Sequence, residues 1–116
     1  MSKRDPLIAL RHMLSHAEEA VTLAHGRARA DLDSDRMLNL ALTRLLEIIG
    51  EAAGRVPKQH CEQHPEIPWP QIVSLRNRLI HGYDSVDFDI LWQILSSDLP
   101  PLIADLKLIL TAESSE

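Results

Sequence analysis

Two guanidinium groups, an amide, an imidazole and a phenol fall within one otherwise apolar stretch, Leu75-Arg76-Asn77-Arg78-Leu79-Ile80-His81-Gly82-Tyr83. An imidazole titrates near neutrality and can carry a proton to or from a hydroxyl. A guanidinium can stabilise charge that develops on phosphate oxygens. Arg76 and His81 are therefore the candidate catalytic pair. Without a metal cluster, they suit attack of an RNA 2′-hydroxyl on the adjacent phosphate. The same residue types also build ordinary polar networks at helix or subunit contacts. Residue types alone leave both readings open.

The elements that position this stretch can be read from the rest of the chain. It lies on what reads as a third helix, from about Pro70 to Ile80 or His81. On a helical wheel Ile72, Val73, Leu75, Leu79 and Ile80 span an apolar arc, and Arg76 and Tyr83 project inside it. His81 falls roughly 140° round from Arg76 at about 100° per residue. A guanidinium in an apolar arc is costly unless it is paired or wet, so Arg76 stands out as a functional position. One regular helix does not bring Arg76 and His81 onto one atom. Either the helix unwinds near Gly82, or two chains juxtapose their copies of the stretch.

Upstream, Asp5 and Pro6 read as the N-cap and first turn of a helix. Its apolar stripe is Leu7, Leu10, Leu14, Ala17, Val21 and Ala24, and Gly26 ends it. Asp31, Asp33 and Ser34 are candidate caps for a second helix, from about Asp35 to Val56. That helix is apolar almost all round, with a polar stripe of Asn39, Thr43, Glu47, Gly50 and Glu51 edged by Arg44. So greasy a helix needs cover on several sides, one of which a second copy of the chain could supply. Glu47 and Glu51 read as solvated or paired carboxylates; the sharper reading has them face and order the arginines of the third helix.

Pro57 to Pro70 reads as a compact, packed loop around Trp69. Phe88, Leu91, Trp92, Ile94 and Leu95 form a short fourth helix, Pro100 and Pro101 mark a break, and Leu102 to Leu110 form the last helix before a polar tail. No strand pattern, repeat or Gly-rich phosphate loop stands out. The fold class is all-α, an antiparallel bundle of four to five helices occupying residues 1–112, with 113–116 as a frayed tail. His12 and His16 lie one turn apart, and His60, Cys61 and His64 have a spacing that could hold metal. Neither set has the further ligands of a zinc site in the sequence, so both read as ordinary residues and no metal or cofactor is expected.

The chain has 116 residues, one cysteine (Cys61) and a net charge of −5. The length suits one core without staples, and the lone thiol excludes an internal disulfide framework. The N-terminal segment, interrupted by Arg11, His12 and His16, does not read as a signal peptide, and no apolar run approaches the roughly 20 residues of a membrane span. A soluble cytoplasmic protein is expected. The acidic balance argues against non-specific gripping of nucleic acid, so contact with RNA must come from a local basic patch.

From about Leu45 to Leu106 the sequence resembles the HEPN superfamily, specifically the HepT-like toxins of MntA–HepT toxin–antitoxin systems. The resemblance rests on Leu46-Glu47-Ile48-Ile49-Gly50-Glu51-Ala52, His64-Pro65-Glu66-Ile67-Pro68-Trp69, Arg76 through Tyr83, Val86-Asp87 with Trp92, and Asp98-Leu99-Pro100. It implies a helical homodimer, open to larger assembly, that acts as a metal-independent endoribonuclease at the dimer interface. Arg76 and His81 occupy the catalytic positions; Asn77, Arg78, Glu47 and Glu51 are supporting candidates. Tyr83 corresponds to the tyrosine that a cognate MntA-type minimal nucleotidyltransferase antitoxin modifies with AMP. The competing expectation is a non-catalytic helical partner, or a nucleotide-binding module, that docks such a nucleotidyltransferase.

Overall fold

A computed structural model describes residues 5–83 and 85–114, with the Ser114 side chain left out. Helix α1 spans Pro6–Ala24, begun by the Asp5 carboxylate, which accepts from the Leu7 N–H at 2.9 Å. Gly26, at φ +77°, turns the chain away after its end. The buried face of α1 is Leu10, Met13, Ala17 and Ala20, rotated slightly from the expected stripe, so Leu14 and Val21 are only half-buried.

A single turn, α2 (Asp31–Ser34), leads into α3 (Arg36–Ala53). The cap of α3 is Asp35, accepting from Leu38 N–H at 3.0 Å, and not Asp31, Asp33 or Ser34. Asp31 instead accepts from the Ala28 N–H at 2.7 Å and orders the preceding turn. The expected polar stripe of α3 is also corrected. Asn39 is buried, donating to the Leu32 carbonyl at 2.9 Å and accepting from Arg36. Gly50 is buried too, whereas Met37 (83% exposed) and Leu40 (52%) face outward.

The segment expected as a packed loop holds a short helix, α4 (Lys58–Gln63), and is pinned by the Trp69 indole, which donates to the His64 carbonyl at 3.0 Å. The third helix is not continuous. It divides into α5 (Trp69–Val73) and α6 (Leu75–Leu79) at Ser74, whose hydroxyl donates back to the Pro70 carbonyl at 2.8 Å. This junction lies against Gly50: a Cβ there would stand 3.0 Å from the Ile72 carbonyl oxygen. Only a residue without a side chain lets the α5–α6 backbone come so close to α3.

After Leu79 the chain turns extended. Ile80–His81 (β1) pairs antiparallel with Ser85–Val86 (β2), in register Ile80↔Val86 and His81↔Ser85. This small hairpin was not expected from the sequence. Gly82 sits in the left-handed region at φ +82°, which a hairpin turn needs and a side chain resists. Asp87 then closes the unit: its N–H donates to the Leu79 carbonyl at 2.8 Å, and its carboxylate caps α7 (Phe88–Gln93) through the Ile90 N–H at 3.0 Å.

Pro100 and Pro101 do not break the chain direction. They sit in the first turn of α8 (Leu99–Ser114), reached from α7 through a π-helical turn at Ile94–Asp98 in which the Leu99 N–H reaches the Ile94 carbonyl. The N–H groups that the prolines lack are ones a first helical turn leaves without an intrahelical acceptor. Helix α8 runs past the start of the expected polar tail; residues 115 and 116 lie outside the described residues. The long helices α1, α3 and α8 carry the fold, α1 packing on both others. Leu42, Leu46, Ile49, Leu75, Leu79, Leu91, Ile94 and Leu106 belong to one buried cluster. The protein is mostly helical, and among the described residues no helix is long and apolar enough to cross a membrane.

Candidate functional site

Because α6 ends at Leu79, the wheel that placed Arg76 in an apolar arc does not extend to Tyr83. Arg76 is 62% exposed and lies over α3, its Nε 3.3 Å from Glu47 Oε2. Glu47 is itself only 18% exposed, so its carboxylate is a fixed anchor rather than a solvated end. Its other oxygen lies 4.0 Å from Arg44 Nη1. Using Nε for the anchor leaves the two terminal Nη groups of Arg76, which meet no carboxylate among the described residues, to fork onto an anion.

Arg76 borders a groove of about 340 Å³ lined also by Arg36, Asn39, Leu40, Thr43, Arg44, Glu47, Ile80, Tyr83 and Val86. Three arginines face one glutamate there, which is the local basic patch that an acidic chain needs for contact with phosphate. Arg36, Leu40 and Arg44 repeat every four residues on α3 and so share a face. Their role was missed in the sequence, although this spacing carried it.

The alternation of a strand then sends neighbours to opposite sides. Ile80 turns into the groove and His81 does not line it; His81 is 64% exposed, with Nε2 3.8 Å from Asp87 Oδ2. Asp87 thus uses one carboxylate oxygen to cap α7 and the other to face His81. Its place in the site could not be seen from sequence, because the hairpin that folds it back was not recognised. Tyr83, at 94% exposure, stands at the groove's edge beyond Gly82.

Of the supporting candidates, only Glu47 meets a catalytic candidate. Glu51 pairs with Arg44 at 3.3 Å instead of with the arginines of α6. Arg78 leaves the groove altogether and pairs with Asp98 at 3.2 Å, lining a separate cleft with Asp98, Pro101 and Asp105. Asn77 is exposed. His12 and His16 hold their ring centroids 6.4 Å apart, and His16 Nδ1 lies 3.5 Å from Glu19. Cys61 directs its Sγ–H at the Val56 carbonyl, and burial pushes its thiol above the usual range.

The fold and site define a helical domain with an Arg-x4-His pair at the end of a short helix, and the comparisons agree on its class. A family model described as "Ribonuclease HepT-like" matches residues 10–109, and the chain belongs to this HepT-like family of the HEPN group. Among similar proteins, one named "Putative RNase" from Caldanaerobacter subterraneus is 36% identical over 110 residues, covering 95% of this chain and 98% of its own. Another so named, from Methanocaldococcus jannaschii, is 33% identical over 109 residues, covering 94% and 100%. A protein named "Probable ribonuclease HepT" from Thermococcus cleftensis is 42% identical over 72 residues, covering 62% of this chain and 66% of its own. No solved structure matches the chain.

Proposed function

We propose that the protein is a metal-independent endoribonuclease whose active site is completed by a second copy of the chain. The observation that carries this reading is the division of labour around α6 and β1. Arg76 is anchored by Glu47 over an arginine-lined groove, while His81 stands exposed on the opposite side of the next strand. A pair split in this way acts on one phosphate when Arg76 of one copy meets His81 of another. The exposed Met37 and Leu40 beside the groove supply an apolar surface for that contact.

In the reaction, His81 takes the proton from a ribose 2′-hydroxyl as the oxygen attacks the adjacent phosphorus. A new 2′-O–P bond forms, the bond to the 5′-oxygen breaks, and that oxygen leaves with a proton returned from the imidazole or from water. Arg76 stabilises the negative charge on the phosphoryl oxygens as it grows. The products are a 2′,3′-cyclic phosphate and a 5′-hydroxyl. Family membership and the names of the relatives support RNA as the substrate.

The same reading makes the protein the toxin of a toxin–antitoxin pair, silenced when an MntA-type nucleotidyltransferase transfers AMP from ATP to the Tyr83 hydroxyl and releases pyrophosphate. The near-complete exposure of Tyr83 beside the groove supports this. The added phosphate would compete with substrate phosphate for Arg36, Arg44 and Arg76. A non-catalytic module that docks the nucleotidyltransferase is the second reading, favoured by the acidic net charge and by Met37 and Leu40. RNA cleavage by purified protein in excess EDTA, with cyclic-phosphate ends that vanish in Arg76→Ala and His81→Ala, separates the two. Retained cleavage in either variant would sink the nuclease assignment of that residue.

A further inference from the structure

Far from the groove in sequence, the fold brings together three groups that no reading of the nuclease site uses. His60 lies in α4, His64 ends it one turn later, and Glu113 reaches them from the last turn of α8. His60 Nε2 is 3.1 Å from Glu113 Oε1, and His64 Nε2 is 3.7 Å from Glu113 Oε2. One ligand atom from each residue lies within 4.8 Å of the other two. We propose that His60, His64 and Glu113 form a site for a divalent transition metal of the zinc class, which clamps α4 to the C-terminal end of α8.

Four observations support this beyond proximity. The donors are two imidazoles and a carboxylate, the borderline set that takes zinc or cobalt and not magnesium or calcium, which want oxygen throughout. His64 Nε2 is buried with no hydrogen-bond partner among the described residues, although it lies 3.7 Å from Glu113 Oε2. Its other nitrogen, Nδ1, lies 3.8 Å from Glu66 Oε2, outside hydrogen-bond distance but near enough for this carboxylate to close on it as the outer partner of a ligating histidine. The His64 backbone is fixed as well, its carbonyl accepting from both the Trp69 indole and the Ile67 N–H.

Ligand atoms around tetrahedral zinc, at about 2.0–2.1 Å from the metal, stand roughly 3.4 Å apart. Closing the cluster therefore takes ligand-atom movements of about an ångström. The side chains are 18%, 18% and 28% exposed, so water can fill the fourth position and the ion has a path in. Cys61, next to His60, turns to Val56 and takes no part. None of the three ligands lines the groove of Arg76 and Tyr83, so the site bears on the fold and not on the proposed chemistry.

The test is titration of the metal-stripped full chain with zinc sulfate by calorimetry and with cobalt chloride by visible absorption. One Zn²⁺ per chain is expected, with cobalt bands that zinc displaces and a melting temperature raised by about 5 °C at saturation. His60→Ala and Glu113→Gln should each weaken zinc binding at least tenfold, Glu66→Gln about tenfold, and His12→Ala not at all. Zinc-induced shifts of imidazole ¹⁵N resonances confined to His60 and His64 give a readout that needs no variant. Absence of stoichiometric binding, binding unchanged in Glu113→Gln of native helicity, or shifts at His12 and His16 instead would each overturn the proposal.

Discussion

Glu47 Oε2 lies 3.3 Å from Arg76 Nε, and this ion pair ties the greasy helix α3 to the short helix α6, which carries Arg76 and leads into the strand of His81. Arg76 is mostly exposed, so the pair adds little to stability, about 0.2–1 kcal/mol for such partners. Its consequence is orientation. Glu47→Ala is expected to lower kcat/KM for RNA cleavage about tenfold while leaving the melting temperature nearly unchanged. Glu51→Ala, which loses only a contact to Arg44, is the comparison and should change cleavage less than twofold. Equal effects of the two substitutions would remove the positioning role of Glu47.

Gly50 is the second support of the same junction. A Cβ at Gly50 meets the Ile72 carbonyl at 3.0 Å and the Val73 carbonyl at 3.4 Å, backbone atoms that cannot swing aside. Gly50→Ala should therefore destabilise by about 1–3 kcal/mol in urea unfolding despite the better helix propensity of alanine. It should also reduce cleavage by displacing α6. Gly82→Ala meets no atom within 4 Å among the described residues, and its cost is that of the left-handed backbone, about 1–2 kcal/mol. A stabilised Gly50→Ala protein would contradict the close approach.

Arg76 and Arg78 are neighbours in sequence and part company in space. Arg78 is paired with Asp98 at the π-helical turn, both side chains 29% exposed. Arg78→Ala is expected to lower the melting temperature and leave cleavage within about threefold of wild type. Arg76→Ala should do the reverse. A double-mutant cycle of Arg78 and Asp98 should give a coupling of about 0.5–1 kcal/mol; no coupling would mean that the pair is incidental.

Much of this was legible in the sequence. Asp5-Pro6 announced a helix start by side-chain chemistry, and the apolar surplus of α3 announced a helix covered on several sides. The stretch from Arg76 to Tyr83 stood out by composition alone. Its geometry did not. The wheel carried the helix through Tyr83, with unwinding near Gly82 as the alternative, and Ile80, the left-handed Gly82 and a two-residue ladder end it earlier still, at Leu79. A ladder that short leaves no periodicity to read. Asp87 meets His81, and His60 and His64 meet Glu113, only once the chain is folded, and Glu113 had read as part of a frayed tail. The capping residue of α3 was missed because Asp33, Ser34 and Asp35 stand in a row and each is a competent cap.

Asp35, the cap of α3, gives a pH test. The Leu38 N–H and then Arg27 hold its carboxyl below the ordinary aspartate range, about 3.9. A lowered folded value means that the contribution is complete above the unfolded value and is lost as pH falls through the folded one. The melting temperature of wild type should therefore drop more steeply on acidification than that of Asp35→Asn, which can still cap but cannot titrate. Parallel curves would show that Asp35 does not contribute to acid sensitivity.

The two-chain site is the central claim, and subunit complementation tests it most directly. Arg76→Ala and His81→Ala proteins, each inactive alone, are unfolded together, refolded as a mixture and assayed on RNA in EDTA. If Arg76 of one copy works with His81 of the other, half the random dimers are mixed and each carries one intact site. The mixture should then recover about a quarter of wild-type activity. A site contained within one chain predicts no recovery at all, and a mixture as inactive as its components would contradict the account.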